Sequence, residues 1–225
     1  MSERSQPDCP IAAPVAAHRR QPVQDRSLRT VARILDATSS LLAHMALEEI
    51  TTNQIAAAAG VSIGALYRFF PDKQTIIDAI AVRHVGQFRE LVEAKILRPL
   101  LGEMEDLANF NPDAILNNMI DAYVAYLEAH PDFRAISFGR HISAATKRRE
   151  ASPRTGLPVL LKNFMLERLG IPNTPELDRR LSVVSEAGER LIAYAFEQPT
   201  RAERDLILGE TKKMLAGYLF SAGQD

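Results

Sequence analysis

A single cysteine, Cys9, can close no intramolecular disulfide and leaves too few thiols for a cysteine-rich zinc site, so this chain must hold its fold by packing alone. A reducing compartment, the cytoplasm, fits that usage. No apolar run approaches the roughly 18 residues that a membrane span needs, so none is expected. The stretch IAAPVAA, Ile11 to Ala17, lacks a basic leader and contains Pro14, which makes it a poor signal peptide. A formal net charge of −1 is not the basic excess of a protein that coats nucleic acid. Local readout remains open, because a small domain can present a few phosphate contacts while an acidic remainder cancels them in the sum. Catalytic constellations are thin. His18, His44, His84, His130 and His141 never approach the HExxH spacing, and no glycine loop could cradle a phosphate. Glu186, Glu189 and Arg190 fit an ion-paired helix face, and His84 reads as a packing or surface histidine on a long helix. No catalytic residue, cofactor or metal is expected, and the chain is not read as an enzyme.

What is present is helix. Of 225 residues 46% are hydrophobic, enough for a real core, and their spacing is three and four rather than two, with no strand run and no internal repeat. The most informative stretch is ITTNQIAAAAGVSIGALYRFFPDK, Ile50 to Lys73. Thr51 can cap a helix from Thr52, with Gln54 reaching back to close a capping box. Gly60 can take the left-handed conformation that ends it. Ser62 can cap a second helix from Ile63 to Phe70, which stops before Pro71. Two short helices about a glycine turn make a helix-turn-helix. Leu66 and Phe70 point inward with Ile55 and Val61, leaving Ile63, Gly64, Ala65, Tyr67 and Arg68 outward. In a major groove Ile63 and Ala65 can meet thymine methyls, Gly64 allows close approach, and Tyr67, Arg68 and Lys73 can meet phosphates.

This block resembles the DNA-binding segment of TetR-family transcriptional regulators, whose pattern is approximately T-x-x-x-I-A-x-x-A-G-V-S-x-G-x-L-Y-x-x-F-x-x-K. The matches are Thr51, Ile55-Ala56, Ala59-Gly60-Val61-Ser62, Gly64, Leu66-Tyr67, Phe70 and Lys73. The resemblance is strong over 27–85 and extends beyond only as helix order, with EAHPDF, Glu128 to Phe133, a further likeness. It departs at Ala46, where glycine is common and another closure or backbone strain is required. Asn53 and Ile63 depart as well, so base preference cannot be carried over. The residues expected at DNA are Thr51, Thr52, Asn53, Ser62, Ile63, Gly64, Ala65, Tyr67, Arg68 and Lys73.

The expected fold is all-α: a mobile N-terminal arm (1–24), a three-helix helix-turn-helix domain (25–72), and a helical regulatory domain (73–225) entered by one long helix. The arm, with His18, Arg19 and Arg20, is read either as a solvated tail or as a reach toward a minor groove. A first helix, from Asp25 or Ser27 to His44, puts Arg26, Arg29 and Arg33 on its polar face, solvated or at phosphates. A long helix starts at Lys73, capped by Asp72, and later helices span Pro112 to Ala129, Pro131 to Phe138, Pro158 to Leu169, Pro175 to Glu197 and Ala202 to Phe220. Gly139 to Gly156, with Lys147, Arg148 and Arg149, reads as an irregular solvated connector.

The last two helices carry 3/4-spaced seams, and a two-fold partner could complete a four-helix bundle on them. Leu181, Val184, Gly188, Leu191, Met214, Leu215 and Tyr218 are the expected dimerisation residues. The family resemblance further implies a ligand cavity among the middle helices, for which the aromatic candidates are Phe88, Phe110, Tyr123, Tyr126, Phe133, Phe138 and Phe164. It implies a homodimer that places two reading helices on a palindromic double-stranded operator, and a small, mostly apolar effector that releases it. The rival reading is an effector-independent DNA-binding protein whose helical domain binds another protein.

Overall fold

The computed structural model describes residues 20–99, 111–150 and 158–220, with side chains from residue 25 onward. Among these residues there is no strand. Ten α-helices follow in order: α1 (Arg20–Leu42), α2 (Thr52–Ala59), α3 (Ile63–Phe69), α4 (Lys73–Val92), α5 (Pro112–Ala129), α6 (Pro131–Phe138), α7 (Ala144–Glu150), α8 (Pro158–Arg168), α9 (Pro175–Phe196) and α10 (Arg201–Phe220). A 3₁₀ turn, Leu47–Glu49, precedes α2, and a π-helical turn, Glu93–Leu97, prolongs α4.

The local signals are realised. Gln54 N–H donates to Thr51 Oγ1 at 3.2 Å while Thr51 N–H donates to Gln54 Oε1 at 2.7 Å, the reciprocal box that starts α2. Gly60 closes α2 at φ 61°, ψ 40°. Ser62 caps α3 through Ala65 N–H at 3.1 Å, Asp72 caps α4 through Thr75 N–H at 2.7 Å, and Asn111 caps α5 through Asp113 N–H at 3.0 Å. These caps fix where each helix points, which is what aims the reading head.

Two expectations about helix extent are corrected. α1 begins at Arg20, five residues inside the stretch assigned to a mobile arm, since a proline such as Pro22 is tolerated in a first turn that needs no N–H there. The arm proper, 1–19, lies outside the described residues. The segment read as an irregular connector contains α7, whose start is tied by Thr146 N–H to Ser143 Oγ at 3.3 Å. None of its seven residues is buried, so no apolar period could announce it.

Ile34, Ile55, Leu66, Phe70, Ile76 and Ile80 close the core of the N-terminal part, where α1 packs on both α2 and α4 and α3 packs on α2. Below Ile80 the same long helix turns Phe88 and Val92 into the core of the second part. α9 and α10 pack along their length, and a Cβ at Gly188 would stand 3.3 Å from Leu215 Cδ1, so glycine sets how closely they approach.

Candidate nucleic-acid interface and cavity

Burial divides α3 into two faces. Leu66 is 0% exposed and Phe70 buried, whereas Ile63 is 38% and Tyr67 49% exposed, with Ser62, Gly64 and Arg68 also open to solvent. Ala65 is half-buried. The Tyr67 hydroxyl lies 3.0 Å from Thr52 Oγ1, so the start of α2, with Thr51 and Asn53 exposed beside it, joins the outward face of α3 as one surface. Nine of the ten sequence-predicted contacts are thus brought together. That surface sets an exposed isoleucine beside a phenol, a guanidinium and a bare glycine backbone.

The tenth, Lys73, is placed differently. Its ammonium donates to the carbonyls of Leu47 at 2.8 Å and Ile50 at 2.9 Å, fastening the N-terminus of α4 to the turn ahead of α2. Arg33 is fastened in a similar way: its guanidinium donates to the carbonyls of Ala59 at 2.5 Å and Gly60 at 2.9 Å, filling acceptors that the end of α2 leaves open. Both clamps join segments more than twenty residues apart, which sequence spacing cannot show. The junction at Ala46 needs no strain, for Ala46 sits in ordinary extended backbone at φ −65°, ψ 145°.

Beneath α4 lies a cavity of about 190 Å³. Val85, Phe88, Leu116, Ile120, Phe133 and Leu161 supply apolar wall; Tyr123, Ser137, Thr146, Lys147, Ser185 and Glu189 supply polar points. Of the aromatic candidates Phe88, Tyr123 and Phe133 line it. Tyr126, Phe138 and Phe164 do not: Tyr126 turns into a polar cluster, Phe138 packs on Phe196 with ring centres 5.5 Å apart, and Phe164 is core. Phe110 lies outside the described residues. Lys147 pairs with Glu189 at 2.9 Å, so the supposed solvated basic run sends one member into the cavity wall. Burial pushes the Tyr123 phenol up, and the nearby Glu189 charge adds to it, so Tyr123 meets a ligand as a neutral hydroxyl.

The cavity wall is tied directly to the head. Ser143 N–H, just ahead of α7, donates to Asp78 Oδ1 on α4 at 2.9 Å, and Gln74 donates to the His141 carbonyl at 2.7 Å. His141 also pairs with Glu48 at 3.5 Å. Burial alone would raise the Asp78 carboxyl, but hydrogen bonds from Ser143, Gln74 and Thr146 outweigh it and hold it low. A second junction is buried between α4, α5 and α6. His84 Nδ1 lies 2.8 Å from the Tyr126 hydroxyl and Nε2 lies 2.9 Å from Asp132 Oδ2, while Ser39 of α1 accepts from Arg83 and bonds the same carboxylate. Burial, with Asp132 nearby, pushes the Tyr126 phenol up to about 12.

On α9 and α10 the expected dimerisation residues split. Leu181, Val184, Gly188 and Leu215 face the interior of their own protomer, Leu215 being only 2% exposed, so they are corrected to core. Met214 at 50% and Tyr218 remain exposed, Leu191 is half-buried, and Val183, Tyr194 and Leu206 join them on the outside. Five of the nine exposed large hydrophobics among the described residues sit on these two helices, a concentration that isolated surface residues do not show.

A helical protein with an exposed helix-turn-helix face and a separate apolar chamber wired to it belongs to the class of DNA-binding regulators. Residues 34–80 match the sequence family described as "Bacterial regulatory proteins, tetR family", and 112–219 match "Tetracyclin repressor-like, C-terminal domain". The chain belongs to the TetR family of transcriptional regulators. It is similar to the HTH-type transcriptional regulator BetI of Cronobacter sakazakii, 36% identical over 80 residues, a match that covers 36% of either protein. Its fold is similar to a TetR-family regulator from Streptomyces coelicolor, 27% identical with a TM-score of 0.65, over 86% of this chain and 99% of that one. It is also similar to RolR in complex with resorcinol, at 13% identity and a TM-score of 0.61, over 90% of this chain and 98% of that one.

Proposed function

We propose that this regulator is a homodimeric repressor that holds a palindromic operator and is released by a small, mostly apolar effector with one polar end. The observation that carries this reading is the cavity's placement. Its wall includes α7, and the residue before α7 is hydrogen-bonded to Asp78 on the helix that carries the head. An effector seated against Thr146 and Lys147 would press on α7 and, through Ser143 and Asp78, turn α4. Two heads fixed to two such helices then lose the spacing of successive major grooves, about 34 Å apart. The apolar walls select the body of the ligand, and the Lys147–Glu189 pair with the Ser137 and Tyr123 hydroxyls selects its polar end. RolR, of the same fold, takes a molecule as small as resorcinol, which supports a small effector here.

In the head, Ile63 and Ala65 are assigned to base edges, and Thr51, Thr52, Asn53, Ser62, Tyr67 and Arg68 to phosphates and flanking bases, with close approach over Gly64. Lys73 keeps one of its three N–H donors for a phosphate while two hold the Leu47 and Ile50 carbonyls. Selecting bound fragments from random duplex DNA tests the assignment. A two-fold symmetric site is expected. Tyr67→Ala should weaken binding evenly across sequences and flatten its salt dependence, whereas Ile63→Ala should change which base is preferred, by about 1–3 kcal/mol at one position of each half-site. Unchanged affinity and preference in both variants would remove the assignment.

The second face is assigned to the two-fold contact: Val183, Tyr194, Leu206, Met214 and Tyr218, with Leu191 at its edge. Tyr194→Asp combined with Met214→Asp places one charge on each helix of that face and should give a monomer by light scattering with unaltered helix content. A dimer that survives both charges would place the contact elsewhere. An effector-free protein of the rival kind would show no small molecule that both raises thermal stability and weakens operator binding.

A further inference from the structure

We propose that His84, His130 and Asp132 form a binding site for one divalent transition-metal ion, set in the joint between α4 and the α5–α6 corner. One ligand atom from each residue lies within 4.8 Å of the other two. His84 Nε2 and Asp132 Oδ2 are 2.9 Å apart. Ligands held about 2.05 Å from an ion and separated by that distance subtend about 90°, the angle between neighbouring ligands of an octahedral ion. The His130 ring, whose centre is 5.1 Å from that of His84, stands next to the pair and reaches the third position by turning toward the ion.

The surroundings have the form of a supporting shell. The Tyr126 hydroxyl at 2.8 Å from Nδ1 fixes the plane of the His84 imidazole, and Gln87 Oε1 at 3.0 Å in turn orients that hydroxyl. With an ion bound, Nδ1–H would donate to the tyrosine oxygen and Tyr126 to Gln87, leaving the Nε2 lone pair for the ion. That is the arrangement in which a metal-ligating histidine is held by its other ring nitrogen. The ion takes the place of the hydrogen that otherwise lies between Nε2 and Oδ2. Phe133 stacks on the His84 ring at 4.9 Å and keeps that side dry, while half-buried His130 leaves a path from solvent and room for water to complete the coordination.

Two imidazoles and a single carboxylate select against Mg²⁺ and Ca²⁺, which want an all-oxygen shell, and favour Mn²⁺ through Zn²⁺. The three residues are separated in sequence by 46 positions and by two, so no ligand motif reveals them. The site stands independently of the operator reading, and its test needs no DNA.

The untagged full chain, stripped with chelator, is titrated calorimetrically with Ni²⁺, Co²⁺ and Zn²⁺, with the Co²⁺ visible spectrum followed in parallel. Saturation at one ion per chain is expected, with a spectrum showing nitrogen ligation. His130→Gln, which leaves the His84–Asp132 contact in place, should weaken affinity roughly tenfold or more. Tyr126→Phe, which removes only the outer support, should weaken it by about 10–100-fold. His44→Gln, on the surface past α1, should change nothing. Helix content by circular dichroism confirms that each variant folds, and His130→Gln decides the matter if Tyr126→Phe does not. The proposal is overturned if none of the three ions saturates at one equivalent, leaving the cluster a proton-linked pair, or if binding is the same in His130→Gln as in the native chain.

Discussion

Leu66→Ala is expected to melt the reading head while the regulatory helices stay folded. The side chain is 0% exposed within the same buried cluster as Ile34, Ile55 and Ile76, so truncation costs the transfer energy of three carbons and the cavity they leave, about 2–5 kcal/mol. α3 has seven residues and cannot persist without that contact, because so short a helix gains too few hydrogen bonds to repay its nucleation. For a unit of this size each kcal/mol lowers the melting temperature by roughly 4–8 °C, so a transition some tens of degrees earlier should appear in the head alone. Ile63→Ala removes the same number of carbons three residues away, from a side chain 38% exposed, and should leave stability within about 0.5 kcal/mol. The pair separates folding from reading. A calorimetric scan in which Ile63→Ala melts early and Leu66→Ala does not would mean that the two faces of α3 have been assigned the wrong way round, and one in which both melt alike would mean that α3 has no such division.

What could be read from the chain beforehand follows the range of the interactions involved. Thr51 with Gln54, Gly60, Ser62 and Asp72 act on backbone within four residues, and each did what its chemistry requires. The seam on the last two helices was harder. The run Leu181, Val184, Gly188 is the most apolar face of α9 and therefore the one α10 and the cavity take up inside the protomer. The outer face mixes Val183 and Tyr194 with Arg190, so a rule that seeks the cleanest apolar stripe selects the core in preference to a contact between subunits. The cavity aromatics divide for a similar reason. Tyr123 and Tyr126 are three apart on α5, yet a 100° step per residue sends one to the chamber and the other to His84. Lys147 with Glu189, Arg33 with Gly60, and His84 with Asp132 are tertiary pairings across 27 to 48 positions, and only the fold brings them together.

Lys73→Met is the variant in which fold and function should fail together. The thioether keeps the length of the lysine stem but leaves the Leu47 and Ile50 carbonyls without their cationic donor at 2.8 and 2.9 Å. Hydrogen bonds to a charged group are each worth about 1.5–3 kcal/mol, and partial solvent access lowers the sum, so a loss of about 2–4 kcal/mol is expected. Thr51, the cap of α2, follows Ile50 directly, so releasing that carbonyl loosens the start of α2 and with it the Thr52–Tyr67 contact on the outward face. Operator affinity should therefore fall for every sequence, and removing the third N–H from phosphate should reduce the slope of log affinity against log salt by about one. Lys73→Arg should restore the charge and the slope. It should not restore the stability, because a planar fork cannot converge on two carbonyls as a tetrahedral ammonium does. Salt titrations and thermal melts on the native chain and both variants separate these effects. A Lys73→Met protein with native stability would break the link drawn between α4 and the start of α2, and with it the path by which turning the long helix moves the head.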